Sequence, residues 1–528
     1  MDQDMESGLV MPVWSQRRPK KTYSDPLANL SESDRAFIQK GDVEDNDRSS
    51  PPPGEHIELH SIWVAECYPP SLIQRLIDDV RQLGWGQPRP GGHPVDSWIE
   101  DQRGLPRSGA WLRLSVVGRR EEQARWGSMA FVATLPTDVD YVTAEIHYLI
   151  PGIFVLVTQF ILGPAPSQLI TDTLRRRFHT YAEPYDRGIS FINPISQKRD
   201  ALKQLRRELR LTCTSWLGKH LPGAFALTNR VDAYPTCEFI TLDSGLPIDP
   251  DNQRTWDDYI SVLGLGHEFE SWTSAEYPGL YLQRQRFDPS GELALILAAN
   301  RNQAFADDQL KAYGGRTRDG LTNRLSDFGG PMTRWALHAL LFSYERHYAM
   351  IRDNAGLAAA QSDIRKATGS ISVLETALLR LSGDAVAVVP QLAQFCDDKR
   401  FFHRGVAQFF SLHPMRPTPK PADAGFPIRM VRKALKKTRP DPAQASDEDL
   451  FELLREGLVH RSHLLRETQS GVHQVVQSVS DLLNTRSQQA LAKSNVRLQW
   501  MLVVFTVVLL IMGGIQVYLA WLVYGATR

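Results

Sequence analysis

The chain has 528 residues, 42% of them apolar, with 60 basic and 60 acidic side chains. That length exceeds one ordinary domain of about 150 residues and supplies ample material for a core. The zero net charge excludes whole-molecule steering toward nucleic acid, so any electrostatic role must come from local patches.

Residues 1–55 carry Arg17, Arg18, Lys20 and Lys21, then an acidic run at Asp42, Glu44, Asp45 and Asp47, then Ser49-Ser50-Pro51-Pro52-Pro53-Gly54. Such a segment buries too little apolar surface to offset its ordering entropy, and a disordered arm is expected. It contains no apolar run of signal-peptide length. Structure is expected from Ile57 onward. Pro69-Pro70-Ser71 followed by apolar residues at helical spacing predicts a helix through Val80. Trp111–Val117 and Ala130–Ala133 read as strands. Tyr141–Ile150 and Ile153–Leu162 read as two more, turned by Pro151-Gly152. The second of these is apolar enough to notice but too short to cross a bilayer as a helix.

Asp200–Leu211 reads as a charged helix with Leu202, Leu205 and Leu209 on one face. Its basic residues (Lys198, Arg199, Lys203, Arg206, Arg207, Arg210) are expected on a solvated face. Thr236–Leu242 is a strand. Gly279–Phe287 and Glu292–Ala298 form a hairpin about Asp288-Pro289-Ser290-Gly291, where proline presets φ and glycine takes the positive-φ position. The α/β-containing region is thus expected over 56–330.

After Gly329-Gly330-Pro331 the pattern turns helical, giving an all-α region over 331–470. Helices are expected at Met332–Arg352, Ser370–Leu381, Ala385–Phe410 and Asp447–Arg466. A Pro-rich basic linker at 414–440 interrupts them. A juxtamembrane helix over 471–498 follows, with Val472, Val475, Val476, Val479, Leu482 and Leu483 as a stripe that needs a partner within the chain or from another subunit.

Residues 499–525 read as a transmembrane helix. From Trp500 to Tyr524 the chain is almost wholly apolar, and a helix of that length is roughly 37 Å long, enough for a hydrocarbon core of about 30 Å. Thr506 and Gln516 are its polar groups. Gly513-Gly514 permits close helix packing, and Trp500, Trp521 and Tyr524 mark its ends as an aromatic belt would. Arg486, Lys493 and Arg497 precede it, which places the body on the cytoplasmic side. Four scattered cysteines without a CxxC pair suit a reducing compartment and supply no zinc framework.

Motifs of catalysis are not met. His267-Glu268-Phe269-Glu270 lacks the second histidine of HExxH, since Ser271 stands there. Asp249-Pro250-Asp251-Asn252 opens like a calcium loop, but Arg254 and Ile260 occupy the required Gly and Glu places. His460 and His463 with Glu456 share a helix face without a further ligand partner. Gly314–Gly320 is glycine-rich and basic, able to offer backbone N–H groups to a phosphate. Arg429, Arg432, Lys433, Lys436 and Lys437 in the linker form a possible contact with anionic lipid. With Phe426 the linker's single ring, nucleic acid is not expected as a partner. The cofactor is left open.

The C-terminal pattern resembles the CorA-like divalent-cation transporters. Asp481-Leu482-Leu483-Asn484-Thr485-Arg486 and Ser494-Asn495-Val496-Arg497-Leu498 carry the resemblance, together with the order of α/β part, helices and long helix entering a span. The family's Tyr-Gly-Met-Asn pore entrance is met here by Tyr524-Gly525-Ala526-Thr527, without the Met-Asn pair, and no second span follows. The resemblance implies a metal-ion channel assembled from several subunits. From the residues themselves the expectation is an α+β cytoplasmic body, an all-α region and one C-terminal span. That describes a single-pass membrane-anchored sensor, scaffold or regulatory protein, non-enzymatic, with the lipid bilayer and further copies of itself as partners. A membrane-anchored enzyme or receptor with a cleft in 56–330 is the remaining alternative.

Overall fold

In the computed structural model the unbroken apolar runs of the first half become the centre of one sheet. The structure describes residues 31–85, 94–103, 109–122, 131–185, 188–228, 234–243, 259–265, 270–274, 279–284, 294–306, 308–399, 402, 412–414 and 450–526. Its strands are β1 (Ile57–Tyr68), β2 (Ala110–Gly118), β3 (Phe131–Val132), β4 (Val139–Ile150), β5 (Ile153–Leu162), β6 (Tyr181–Tyr185), β7 (Gly188–Ile192), β8 (Thr236–Leu242), β9 (Glu270–Ser274), β10 (Leu280–Arg284), β11 (Ala294–Asn300) and β12 (Leu412–Pro414). Its α-helices are α1 (Glu32–Arg48), α2 (Ile73–Gln82), α3 (Val95–Arg103), α4 (Pro164–Arg175), α5 (Pro194–His220), α6 (Tyr259–Val262), α7 (Arg301–Ala306), α8 (Arg318–Leu325), α9 (Gly329–Ala360), α10 (Ile364–Asp397) and α11 (Leu450–Ala526).

The main sheet has the order β12-β9-β10-β11-β8-β1-β5-β4-β2-β3, and β6 and β7 form a separate ribbon. β1 lies at the centre, antiparallel to both β5 and β8, while β8 and β11 run parallel. Successive strand residues point to opposite faces. On one face Trp63 meets Phe328 with ring centroids 5.2 Å apart, and the Cys67 thiol lies against the Ala336 carbonyl. On the other, Tyr68 donates to the Leu221 carbonyl and Phe160 packs edge-on to Trp216. So α9 covers one face and α5 the other. Covering both faces is why every residue of β5 and β8 is buried and why these strands read as continuous apolar runs.

Two strand pairings follow the sequence expectation. β4 and β5 form the expected hairpin, with Gly152 at φ 82° in its turn. β10 and β11 pair antiparallel; the Asp288–Gly291 turn between them lies outside the described residues.

The expected disordered arm over 1–55 is corrected within its described part. α1 forms from Glu32 to Arg48, with Ser31 as its N-cap. It shows no apolar stripe, and Phe37 is 79% exposed. Polar bonds hold it instead. Asp42 accepts from the Thr180 amide and hydroxyl, Asn46 bonds both ways with the Phe178 backbone, and the buried Lys198 donates to the Asn46 carbonyl at 3.2 Å and the Ser50 hydroxyl at 3.1 Å.

The basic face of α5 is also corrected. Lys198, Arg206 and Arg210 are buried rather than solvated. Arg206 and Arg210 both bond the carboxylate of Glu238 on β8, and Arg206 also donates to the Leu263 carbonyl.

In the helical region the expected pieces join. Ser370–Leu381 and the start of Ala385–Phe410 lie on one helix, α10, which passes through Pro390. The described part of Asp447–Arg466, from Leu450 onward, the juxtamembrane helix and the apolar end form the single 77-residue α11. Gly471 lies within it with open space around it; the cost of a helical glycine, about 1 kcal/mol, is offset by its packed neighbours. The boundary expected at 330 does not divide the core either. Met332, Trp335 and Ala336 of α9 belong to the same buried cluster as the sheet, and that cluster extends to Leu483.

α9, α10 and α11 form a three-helix bundle. Arg455 bonds the Cys396 carbonyl and His473 meets Ser382, so α11 runs antiparallel to α10. Arg461 bonds His338 and Glu345 near the start of α9, and Arg486 bonds Ala359 at its end, so α11 runs parallel to α9. The stripe Val472, Val476 and Leu483 is buried here. Its partners are α9 and α10 of the same chain.

Candidate functional site

Two features stand out: the free end of α11 and a cleft at the opposite end of β1. From Asn484 to Leu522 no described side chain of α11 is buried. An 18-residue window in this stretch has mean hydropathy 2.4 and none of it is covered by protein. An exposed apolar rod of this length is a large cost in water. Within it the Thr506 hydroxyl donates to the Leu502 carbonyl at 2.8 Å, which satisfies that group without an outside partner. A Cβ at Gly513 or Gly514 would meet nothing within 4 Å beyond the helix's own backbone. Trp500, Gln516, Tyr518 and Trp521 are exposed, with Tyr518 and Trp521 stacked. Tyr524 is helical, and its side chain lies outside the described set, as do Arg429, Arg432, Lys433, Lys436 and Lys437.

The cleft has a volume of about 1070 Å³ and lies where β1 begins, β5 ends and α7 and α8 start. α4 supplies one wall through Ser167, Thr171 and Arg175, four residues apart and hence on one helix face. Arg301, Arg316 and Arg318 come from segments far along the chain. Arg318 is held rigidly: it bonds Glu58 at 2.9 Å, Asp140 at 3.0 Å and the Leu162 carbonyl. Arg301 lies 3.9 Å from Asp243 and 5.9 Å from the Phe305 ring centroid, and Arg316 donates to the Ala306 carbonyl. Arg175 has no ion-pair partner among the described residues. α8 leads through the short turn Ser326–Phe328 into α9, so the cleft is joined to the bundle by continuous chain.

The glycine-rich loop contributes differently from expectation. Gly314 and Gly315 have φ 106° and 92°, which only glycine adopts readily. The N–H groups of Gly315, Thr317 and Gly320 are bonded within the loop and the α8 cap, so they are not a phosphate cradle. What the loop offers the cleft is its arginine side chains. Sequence reading met only the glycine-rich loop of this site, because its other residues come from separate segments of the chain.

Buried carboxylates elsewhere are structural in their geometry. Glu66 on β1 accepts from the amides of Cys67, Phe225 and Ala226. Burial pushes its carboxyl up to about 7 despite these donors. The turn at Gly223 approaches so closely that a Cβ there would lie 2.5 Å from the Glu66 side chain. At Glu238 burial acts upward, but Arg206 and Arg210 beside it hold the carboxyl below its usual value. Both groups are enclosed. His460, His463 and Glu456 lie on an exposed helix face, as expected. Among the described residues no three His, Cys, Asp or Glu side chains gather to hold a metal. His267 and Asp249–Asn252 lie outside the described residues, and Ile260 is buried in α6.

No protein-family model, curated protein or solved structure matches the chain.

Proposed function

We propose that this chain is a single-pass membrane protein. In this reading the α/β body and helical bundle lie in the cytoplasm, residues 499–525 cross the bilayer, and the protein acts as a sensor, scaffold or regulator rather than as a catalyst. One observation supports this most: α11 is a single helix that is packed into the bundle up to Leu483 and then runs free to an apolar end. A state of the body is thereby joined to the span by rigid helix. Lys493 and Arg497 stand on the body side of the span, in keeping with the positive-inside tendency. The basic residues Arg429, Arg432, Lys433, Lys436 and Lys437 would add attraction to anionic headgroups, at about 1 kcal/mol each near the surface.

Fractionation tests the reading. The full chain is expected in the membrane pellet after a high-salt wash, and a chain ending at Lys493 in the soluble fraction. A truncated chain that stays in the pellet would refute an anchor at the C-terminal end.

The same continuity favours a second reading, a divergent CorA-like divalent-cation channel made from several copies. Magnesium-dependent rescue of transport-deficient cells is its positive test. Absence of flux in liposomes that hold assembled protein removes it.

A further inference from the structure

We propose that the cleft is a binding site for a soluble organic phosphate. Arg175, Arg301, Arg316 and Arg318 line it against only two lining carboxylates, Glu55 and Glu58. Glu58 is already engaged by Arg318. Asp140 and Asp243 beside the cleft also pair with Arg318 and Arg301, so the positive charge left to a ligand is centred on Arg175, and guanidinium forks match phosphate oxygens in geometry as well as charge. Its volume greatly exceeds what inorganic phosphate needs and suits a small organic ligand. Phe305, beside Arg301, offers an aromatic wall for the organic part, and Gln168 and Asn302 offer polar contacts.

The source of the phosphate follows from where the cleft lies. α9 advances from Phe328 to Ala336 while β1 advances from Trp63 to Cys67. Gly329 at the start of α9 lies against Glu145 and His147 of β4, so α9 crosses the sheet obliquely on its way to Cys67 of β1. The cleft is at the start of β1, and α9 ends beside Arg486, where α11 leaves the bundle. About 45 Å of α9 and about 20 Å of α11 then separate the start of α9 from Trp500, which keeps the cleft on the order of 50 Å from the apolar run at the end of α11. If that end is in a bilayer, headgroups of the same membrane do not reach the cleft, and the ligand comes from solution. The cleft's chemistry does not depend on the membrane reading; only this choice of source does.

The test is calorimetric titration of the full chain in neutral phosphatidylcholine nanodiscs. Pyrophosphate and adenosine diphosphate serve as probes, since they share a diphosphate and differ in the ring. Both are expected to bind, more weakly as salt rises. Arg175→Ala and Arg301→Ala are each expected to weaken both probes about tenfold or more, a change a lost charged hydrogen bond accounts for. Arg175 is at the exposed end of α4, so its removal leaves the fold intact. Phe305→Ala is expected to weaken adenosine diphosphate while sparing pyrophosphate. Absence of binding by either probe at about 10 mM, or binding unchanged in both arginine variants, overturns the proposal. So does an unchanged response of adenosine diphosphate to Phe305→Ala. Vesicles containing phosphatidic acid that displace the probes through the same arginines overturn the soluble source.

Discussion

Arg486 of α11 donates from Nη1 to the carbonyl of Ala359, in the last turn of α9, at 2.9 Å. Carbonyls at a helix C-terminus lack partners and carry partial negative charge, so a guanidinium is the fitting cap. The bond also marks a boundary. Before it α11 is part of the body, and after it no described side chain of α11 is buried.

Arg486→Ala is expected to cost no more than about 1 kcal/mol, because the group is exposed and water replaces the bond. The local effect is larger than the global one. Amide exchange in the α9–α10 connection, residues 360–364, should rise while the melting temperature barely changes. Unchanged exchange there would mean that the cap does not hold the tip.

The clamp at Glu238 makes the opposite prediction. Glu238→Ala leaves Arg206 and Arg210 buried without their carboxylate, an arrangement that typically costs about 3–5 kcal/mol. A urea midpoint close to that of the parent would show that water reaches this pair.

Glu66 gives the body a pH dependence. Its carboxyl titrates near 7 in the folded protein, against an ordinary value of 4.5. The folded state therefore binds the proton more tightly. This contribution is fully present below about pH 4.5, falls as pH rises, and is lost above about pH 7, a total of about 3 kcal/mol. Thermal unfolding between about pH 5 and 8 should show this slope in the parent, and Glu66→Gln should flatten it. An identical slope in both would assign the effect to another group.

Lys198 and Asp42 tether α1. Lys198→Ala or Asp42→Ala should free the helix from the body, seen as rapid protease cleavage near Lys40. The core should melt almost as before, since α1 adds little apolar burial to it. Continued protection of α1 in both variants would show that other contacts suffice.

The parts that were legible in the sequence have local causes. Pro151-Gly152 between two apolar runs specifies the β4–β5 hairpin, and Gly152 takes the positive φ that such a turn needs. The free end of α11 declares itself by length and hydropathy alone. The parts that were not legible depend on distant partners. Nothing near Arg206 and Arg210 indicates that Glu238, far along the chain, will neutralise them in the core. α1 has no apolar period because its attachment is polar. The cleft assembles residues from α4, α7 and the start of α8, whose only local sign was a glycine-rich loop. The run from the juxtamembrane stripe into the apolar end was legible as continuous; the piece before Gly471 looked separate because that glycine interrupts the pattern, while the backbone passes through it.

Protease protection of sealed vesicles tests the anchor most directly. The full chain would carry one epitope on the body and one after Arg528, in vesicles whose outer surface is the cytoplasmic side. Added protease is expected to remove the body epitope, while the terminal epitope stays protected on a short fragment until detergent is added. Loss of both epitopes without detergent would contradict a helix that crosses the bilayer.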